Sequence, residues 1–78
     1  MSRPIYVIAA EIKADWKKWR ESYAADYLNA MSHLSSVADS YYFDSADSII
    51  RYFLANANGW RGEKAREIKA ELKKMVGL

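Results

Sequence analysis

Very few side chains in this sequence have the chemistry of a general base or a nucleophile. The 78-residue chain contains one histidine, His33, and no cysteine. A hydrolytic triad needs a nucleophile, a base and a group that orients the base, and His33 is the only histidine that could act as that base. Helical spacing places it on a polar face with Asp26, where a solvated histidine is expected. A disulfide framework, a thiolate metal site and a pair of catalytic histidines are excluded.

Carboxylates are the second group that could do chemistry, because paired acids act as acid and base when burial separates their pKa values. Asp44 and Asp47 stand three residues apart, which suits a helix start, where acids complement the helix dipole. Glu63, Glu67 and Glu71 recur every four residues and predict a solvated row along one helix. Both sets are therefore expected to have structural roles.

No motif for a metal, a cofactor or a phosphate group is recognisable. Residues 39–47 contain three aspartates but lack the central glycine and the terminal glutamate of a calcium loop. Residues 59–62 contain two glycines without the lysine pattern of a phosphate-binding loop. We therefore expect no catalytic residue, no cofactor and no metal.

The elements that position these residues can be derived from the spacing of apolar side chains, which is helical in four segments. The predicted helices span residues 4–17, 22–34 and 45–57, and a last helix begins at residue 60 or 62 and ends at residue 76. A strand over residues 5–8 is the alternative for the first segment, because Ile and Val favour sheets. The first two helices could also be continuous.

The helix ends carry capping signals. Ser2 is a predicted N-cap for the first helix and Asp44 for the third. Residues 35–43 are predicted to be a connection without regular structure. The sequence therefore predicts one all-α domain over residues 1–78, a compact bundle of three to four short helices. Its expected centre consists of Trp16, Tyr27, Phe53, Ile68 and Leu72.

Composition limits the classes of partner. Lys and Arg number 12 and Asp and Glu number 10, so the formal net charge is only +2, which by itself does not indicate nucleic-acid binding. The apolar stretch over residues 5–10 is too short to cross a bilayer or to act as a secretory signal. We therefore expect a cytoplasmic protein with no membrane partner. A core this small supplies about 3–5 kcal/mol of net stability, and a homo-oligomer could add to it.

Three adjacent aromatic residues, Tyr41, Tyr42 and Phe43, are the strongest indication of a binding function. They stand in a connection and cannot all point inward along one face. Tyr, Trp and Arg are enriched at the centres of protein interfaces, so Trp60 and Arg61 form a second candidate pair. The alternative is that these rings simply cover the core of a small domain.

A row of basic residues on the last predicted helix supports a different function. Such rows contact phosphates in helix-turn-helix proteins, although the glutamates of the same helix would repel a nucleic-acid backbone. The residues of this basic row are Arg61, Lys64, Arg66, Lys69 and Lys73.

Over nearly its whole length the sequence resembles a group of small uncharacterised tailed-bacteriophage proteins. The segments that carry the resemblance are residues 4–9, 11–12, 15–16, 27–31, 48–50, 52–57, 60–62, 65–66 and 68–72. The resemblance implies a phage product that acts inside a bacterial host, and it brings no catalytic residues with it. Small phage proteins of this size often bind a host or phage protein and change its activity.

Together these observations predict a non-enzymatic phage-type protein that binds a protein partner, a host factor whose activity it modulates. The expected contact residues are Tyr41, Tyr42, Phe43, Trp60 and Arg61. A helical nucleic-acid-binding protein that uses the basic row is the alternative. An enzyme that uses Asp44, Asp47 or His33 is the third interpretation.

Overall fold

Four α-helices and one short β-hairpin make up the part of the chain that the computed structural model describes, residues 3–78. The elements in chain order are α1 (Ile5–Asp15), a 3-10 turn (Trp19–Glu21), α2 (Ala25–Met31), β1 (Ser40–Tyr41), β2 (Asp44–Ser45), α3 (Ala46–Asn56) and α4 (Glu63–Met75). The predicted predominance of helix is confirmed. The strictly all-α expectation is wrong in one place, because β1 and β2 pair within the segment that was predicted to be irregular.

Helix α1 forms where a strand was the alternative. Its apolar residues Ile5, Ile8, Ala9 and Ile12 share one face and are all fully buried, which satisfies helical but not strand periodicity. The 3-10 turn separates α1 from α2, so the two helices are not continuous.

The capping residues differ from the predicted ones. Ser45, not Asp44, is the N-cap of α3, because its side-chain oxygen accepts a hydrogen bond from the backbone N–H of Ser48 at 3.1 Å. Asp44 pairs in the hairpin one residue earlier. The prediction for Ser2 lies outside the described residues.

The core is close to the predicted one. Trp16, Phe53, Ile68 and Leu72 are buried. Tyr27 is only half-buried and stacks on Tyr52 of α3, with ring centroids 5.5 Å apart. The expectation that Tyr27 lies at the centre is therefore wrong. The neighbouring Leu28 is fully buried in its place.

Helices α1 and α3 both begin beside the hairpin. The backbone N–H of Ile5 donates to the carbonyl of Ser35 at 3.0 Å, and the N–H of Ala46 donates to the carbonyl of Asp39 at 2.8 Å. Both helices end near Trp60. We call the side that contains residues 35–46 the hairpin end, and the side that contains Trp16 and Trp60 the tryptophan end.

Trp60 organises the tryptophan end. Its ring stacks on Trp16 with centroids 5.9 Å apart and meets the edge of Phe53 at 6.3 Å. Its indole N–H donates to a carboxylate oxygen of Asp15 at 2.8 Å. A buried tryptophan thus has a polar partner, as its N–H requires, and the last residue of α1 is joined to the α3–α4 turn.

Lys69 of α4 also stabilises the turn between α3 and α4. Its Nζ donates to the carbonyl of Ala57 at 2.8 Å and to that of Trp60 at 2.7 Å. These carbonyls follow the C-terminus of α3, where backbone acceptors lack partners within the helix.

Within residues 3–78, no helix combines the length and the apolar character needed to cross a membrane.

We predict that Asp15→Ala is less stable than Asp15→Asn by about 1 kcal/mol, because only the amide retains an acceptor for the buried indole N–H. Both substitutions remove the same charge from the C-terminus of α1, so their difference isolates the hydrogen bond. Urea denaturation followed by tryptophan fluorescence measures it. Equal stabilities of the two variants would contradict this role of Asp15.

Candidate functional site

The hairpin presents the three adjacent aromatic residues. Ser40 pairs with Ser45 and Tyr41 pairs with Asp44 in antiparallel register, so a two-residue loop connects the strands. That loop is Tyr42–Phe43. The aromatic pair therefore occupies the tip of a tight turn rather than a loose connection.

The backbone at the tip is unusual for the residue it carries. Tyr42 has a φ of +58°, and among residues 3–78 it is the one residue other than glycine with a positive φ. A positive φ at the first loop position alone is the sign pattern of a type II′ turn, where glycine normally stands. A side chain in this conformation costs about 1–2 kcal/mol.

The tip side chains face solvent. Tyr42 is 83% exposed and Phe43 is fully exposed. Tyr41 is half-buried and anchors the hairpin, since its ring stacks on His33 at 5.3 Å and meets the edge of Tyr42 at 4.7 Å. Of the five predicted contact residues, three lie in the hairpin. Tyr42 and Phe43 are free to touch a partner, and Tyr41 supports them.

Asp39 holds the base of the hairpin. Its carboxylate accepts hydrogen bonds from the backbone N–H groups of Ser35 at 2.7 Å and Ser36 at 3.0 Å. These two bonds hold the pKa of Asp39 below its usual range, because they favour the ionised form. Together with the bond from Ala46 to the Asp39 carbonyl, they fix the hairpin against the start of α3.

A shallow groove lies beside the hairpin base. It has a volume of about 260 Å³ and is lined by Arg3, Ser35, Ser36, Val37 and Met75. Arg3 is paired with two carboxylates, Glu11 and Glu71. The groove brings no general base together with a nucleophile.

Trp60 does not belong to an accessible surface. It is only 2% exposed, because Trp16, Phe53 and the Asp15 carboxylate enclose it. The expectation that Trp60 anchors an interface is therefore wrong. Arg61 is exposed, but it follows Trp60 at the tryptophan end, so the structure does not bring it together with the hairpin tip.

The basic row of α4 is divided in the structure. Lys69 is engaged with two backbone carbonyls, and its partial burial lowers its pKa, assisted by the like charges of Lys73 and Arg61. Lys64 lies 3.4 Å from the Glu11 carboxylate. Of the row, Arg61, Arg66 and Lys73 remain exposed without an ion pair in the described part of the chain.

The residues considered for catalysis are not brought together. His33 is exposed and stacks on Tyr41. Asp47 pairs with Arg51 at 2.6 Å, one helical turn away, and Asp44 is an exposed strand residue. No group of three or more metal-ligating side chains is found among residues 3–78.

Two surface features were missed by sequence reasoning. Tyr23 lies within the range predicted for the second helix, residues 22–34, yet it is 90% exposed because α2 begins two residues later. Lys17, Lys18 and Arg20 are all exposed in the connector between α1 and α2. The density of basic residues in this short segment was a signal that could have identified them.

Comparison of the chain with protein-family models, with curated proteins and with solved structures gave no match. The candidate site is therefore defined by geometry alone. It consists of the exposed Tyr42 and Phe43, supported by Tyr41 and Asp39.

We predict that the hairpin base responds to acid through Asp39. Because the folded-state pKa is depressed, the stabilisation it provides is present above the ordinary aspartate pKa and is lost as the pH falls through the lower folded value. In NMR spectra the amide protons of Ser35 and Ser36 should titrate below the usual aspartate range. Asp39→Asn should abolish this titration, and its persistence in that variant would contradict the assignment.

We predict that Tyr42→Gly is more stable than Tyr42→Ala by about 1 kcal/mol, because both lose the ring but only glycine accepts the positive φ without strain. Thermal and urea denaturation compare the two. Phe43, at the second loop position, is the matched control. Phe43→Gly should show no such advantage over Phe43→Ala, and an equal advantage at both positions would contradict the turn geometry.

Proposed function

We propose that this protein is a small non-enzymatic binding protein that places Tyr42 and Phe43 into a pocket on a protein partner. The observation that carries the proposal is the pairing of two highly exposed aromatic side chains with a costly backbone conformation at Tyr42 in the same two-residue tip. Strained backbone is retained where surrounding structure and function require it.

Packing of the hydrophobic core gives no reason for these two residues, and the ring contact of Tyr42 is with Tyr41 at the edge of the core. Neither side chain belongs to the core or packs against it, and glycine would relieve the strain at position 42. Exposed Phe and Tyr at a fixed tip are well suited to fill a pocket, because a preformed turn loses little conformational freedom on binding. Buried aromatic anchors also dominate the energetics of protein interfaces.

The surroundings of the tip indicate the chemistry of the partner. Asp39 and Asp44 flank it, and no Lys or Arg occurs between residues 34 and 50. A complementary partner therefore has an apolar pocket with basic side chains at its rim, because opposite charges steer association and suppress wrong partners.

The resemblance to tailed-bacteriophage proteins supplies the biological setting of the proposal. It supports a phage product that acts in the cytoplasm of a bacterial host and modulates a host factor, with a phage protein as the other class of partner. A second copy of the chain is a further candidate occupant, and sedimentation at high concentration distinguishes it. The nucleic-acid alternative based on the α4 row has less support, because Lys64 and Lys69 are already engaged within the fold.

We expect Phe43→Ser and Tyr42→Gly to weaken partner binding, each by about 30-fold, since a central aromatic anchor contributes about 2 kcal/mol or more. Tagged protein captures partners from a host lysate for mass spectrometry. Each captured protein is then purified and titrated against the variants.

Tyr23→Ser is the matched control, because Tyr23 is equally exposed but lies outside the hairpin. It should leave the affinity within about twofold of the parent, as is usual for substitutions outside the central anchors. If the folded Phe43 and Tyr42 variants bind every captured protein as well as the parent does, the hairpin is not the contact surface.

A further inference from the structure

A second exposed surface lies at the tryptophan end. The connector between α1 and α2 carries Lys17, Lys18, Arg20 and Tyr23, all exposed to solvent. The ion pairs formed among residues 3–78 use other cations, which are Arg3, Arg51 and Lys64. The charges of the connector are therefore not neutralised within the described part of the chain.

The connector is held by buried aromatic residues. Trp19 is buried and has Lys13 and Arg20 over its ring, at 4.7 and 4.8 Å from the centroid. Ser22 closes the turn, since its hydroxyl donates to the carbonyl of Trp19 at 2.7 Å. The exposed cations thus project from a segment with a defined conformation.

Arg61 joins this surface from the α3–α4 turn. The stacking of Trp60 on Trp16 and the hydrogen bond from Trp60 to Asp15 place that turn beside the start of the connector. Glu21 is the one carboxylate in residues 16–24, and with the neighbouring Asp15, whose bond from the neutral Trp60 indole adds no charge, two acids stand against four cations. The surface is therefore predominantly positive.

Stabilisation of helix ends accounts for only part of this arrangement. Lys17 and Lys18 directly follow the C-cap of α1, but Arg20, Tyr23 and Arg61 do not directly follow the end of an α-helix. A cation interacts with the helix dipole only near the last turn of the helix, and within the last turn of α1 that position is held by Lys13. The backbone carbonyls of Ala57 and Trp60, which follow α3, accept hydrogen bonds from Lys69. Dipole stabilisation also gives no reason for an aromatic ring that is 90% exposed at Tyr23.

We propose that this basic connector, which consists of Lys17, Lys18, Arg20 and Tyr23 with Arg61, binds single-stranded nucleic acid. The four cations neutralise phosphates, and Tyr23 stacks on an unpaired base. Exposed aromatic rings among basic side chains are typical of surfaces that bind single strands, because every base has a face for stacking and a duplex hides it. The connector has no exposed aliphatic side chain to insert into a bilayer, which argues against a membrane.

The proposal is independent of the hairpin, which lies at the other end of α1 and α3. A protein partner at one end and a nucleic acid at the other can therefore be tested separately. Phe43→Ser should leave nucleic-acid binding unchanged, and Lys17→Gln with Lys18→Gln should leave capture of the protein partner unchanged.

Fluorescence anisotropy of the full chain with labelled oligothymidylate tests the proposal. With four cations on phosphates, the slope of log affinity against log salt is expected to be about −2.8. Replacing Lys17 and Lys18 together by Gln should lower the affinity at low salt by about tenfold or more and reduce the slope to about −1.4. Tyr23→Ala should weaken single-strand binding more than duplex binding.

Lys73→Gln with Lys74→Gln is the matched control, because it removes the same charge from the exposed end of α4. It should leave both the affinity and the slope close to those of the parent. Circular dichroism confirms that all variants are folded.

Four results would overturn the proposal. The first is that the chain does not bind oligothymidylate at low salt, and the second is that the Lys73 and Lys74 variant loses as much affinity as the Lys17 and Lys18 variant or more. The third is that Tyr23→Ala does not change the preference for single strands. The fourth is that the chain binds anionic phospholipid vesicles and not the oligonucleotide.

Discussion

The burial of Trp60 is the constraint on which the arrangement of the helices depends. The indole N–H must keep a polar partner when the ring leaves water, and Asp15 at the end of α1 provides it. The stack on Trp16 and the two bonds from Lys69 then fix the α3–α4 turn against α1 and α4. The chain contains no cysteine, so these non-covalent contacts connect segments that are distant in sequence, as a disulfide does in other small domains.

The exposure of the hairpin tip follows from how the segment between α2 and α3 meets the core. The segment between α2 and α3 buries Leu34 and packs Tyr41 against the core, whereas Tyr42 and Phe43 at its tip stay in solvent. Local polar contacts hold it instead, through Asp39 at its base and Ser45 at the start of α3. These contacts hold the base of the hairpin without burying Tyr42 or Phe43, so the tip stays accessible.

The helices were predictable from sequence because each buries a regular apolar stripe, and the bounds of α3 and α4 lie within one to three residues of the predicted ones. The hairpin was not, because Tyr42–Phe43 lacks the Asn-Gly or Asp-Gly signal of tight turns. Trp60 was misassigned because its residue type is common in interfaces and in cores alike, and its partner Asp15 is 45 residues away. The placement of the α3–α4 turn beside the end of α1 depends on that same long-range contact, which no local pattern reveals.

The direction of the helices connects the two surfaces. Because α1 and α3 both begin at the hairpin end, the positive ends of their dipoles lie there, and the negative ends lie beside Trp60. Acidic residues such as Asp47 are favoured in the first turn of α3, and basic residues are favoured near the end of α1. At 1.5 Å per residue, the 11 residues of α1 separate these ends by about 16 Å. Asp44 and Asp47 thus stand at the start of α3, whereas Lys17, Lys18 and Arg20 follow the end of α1, so one small fold presents two chemically different surfaces at its opposite ends.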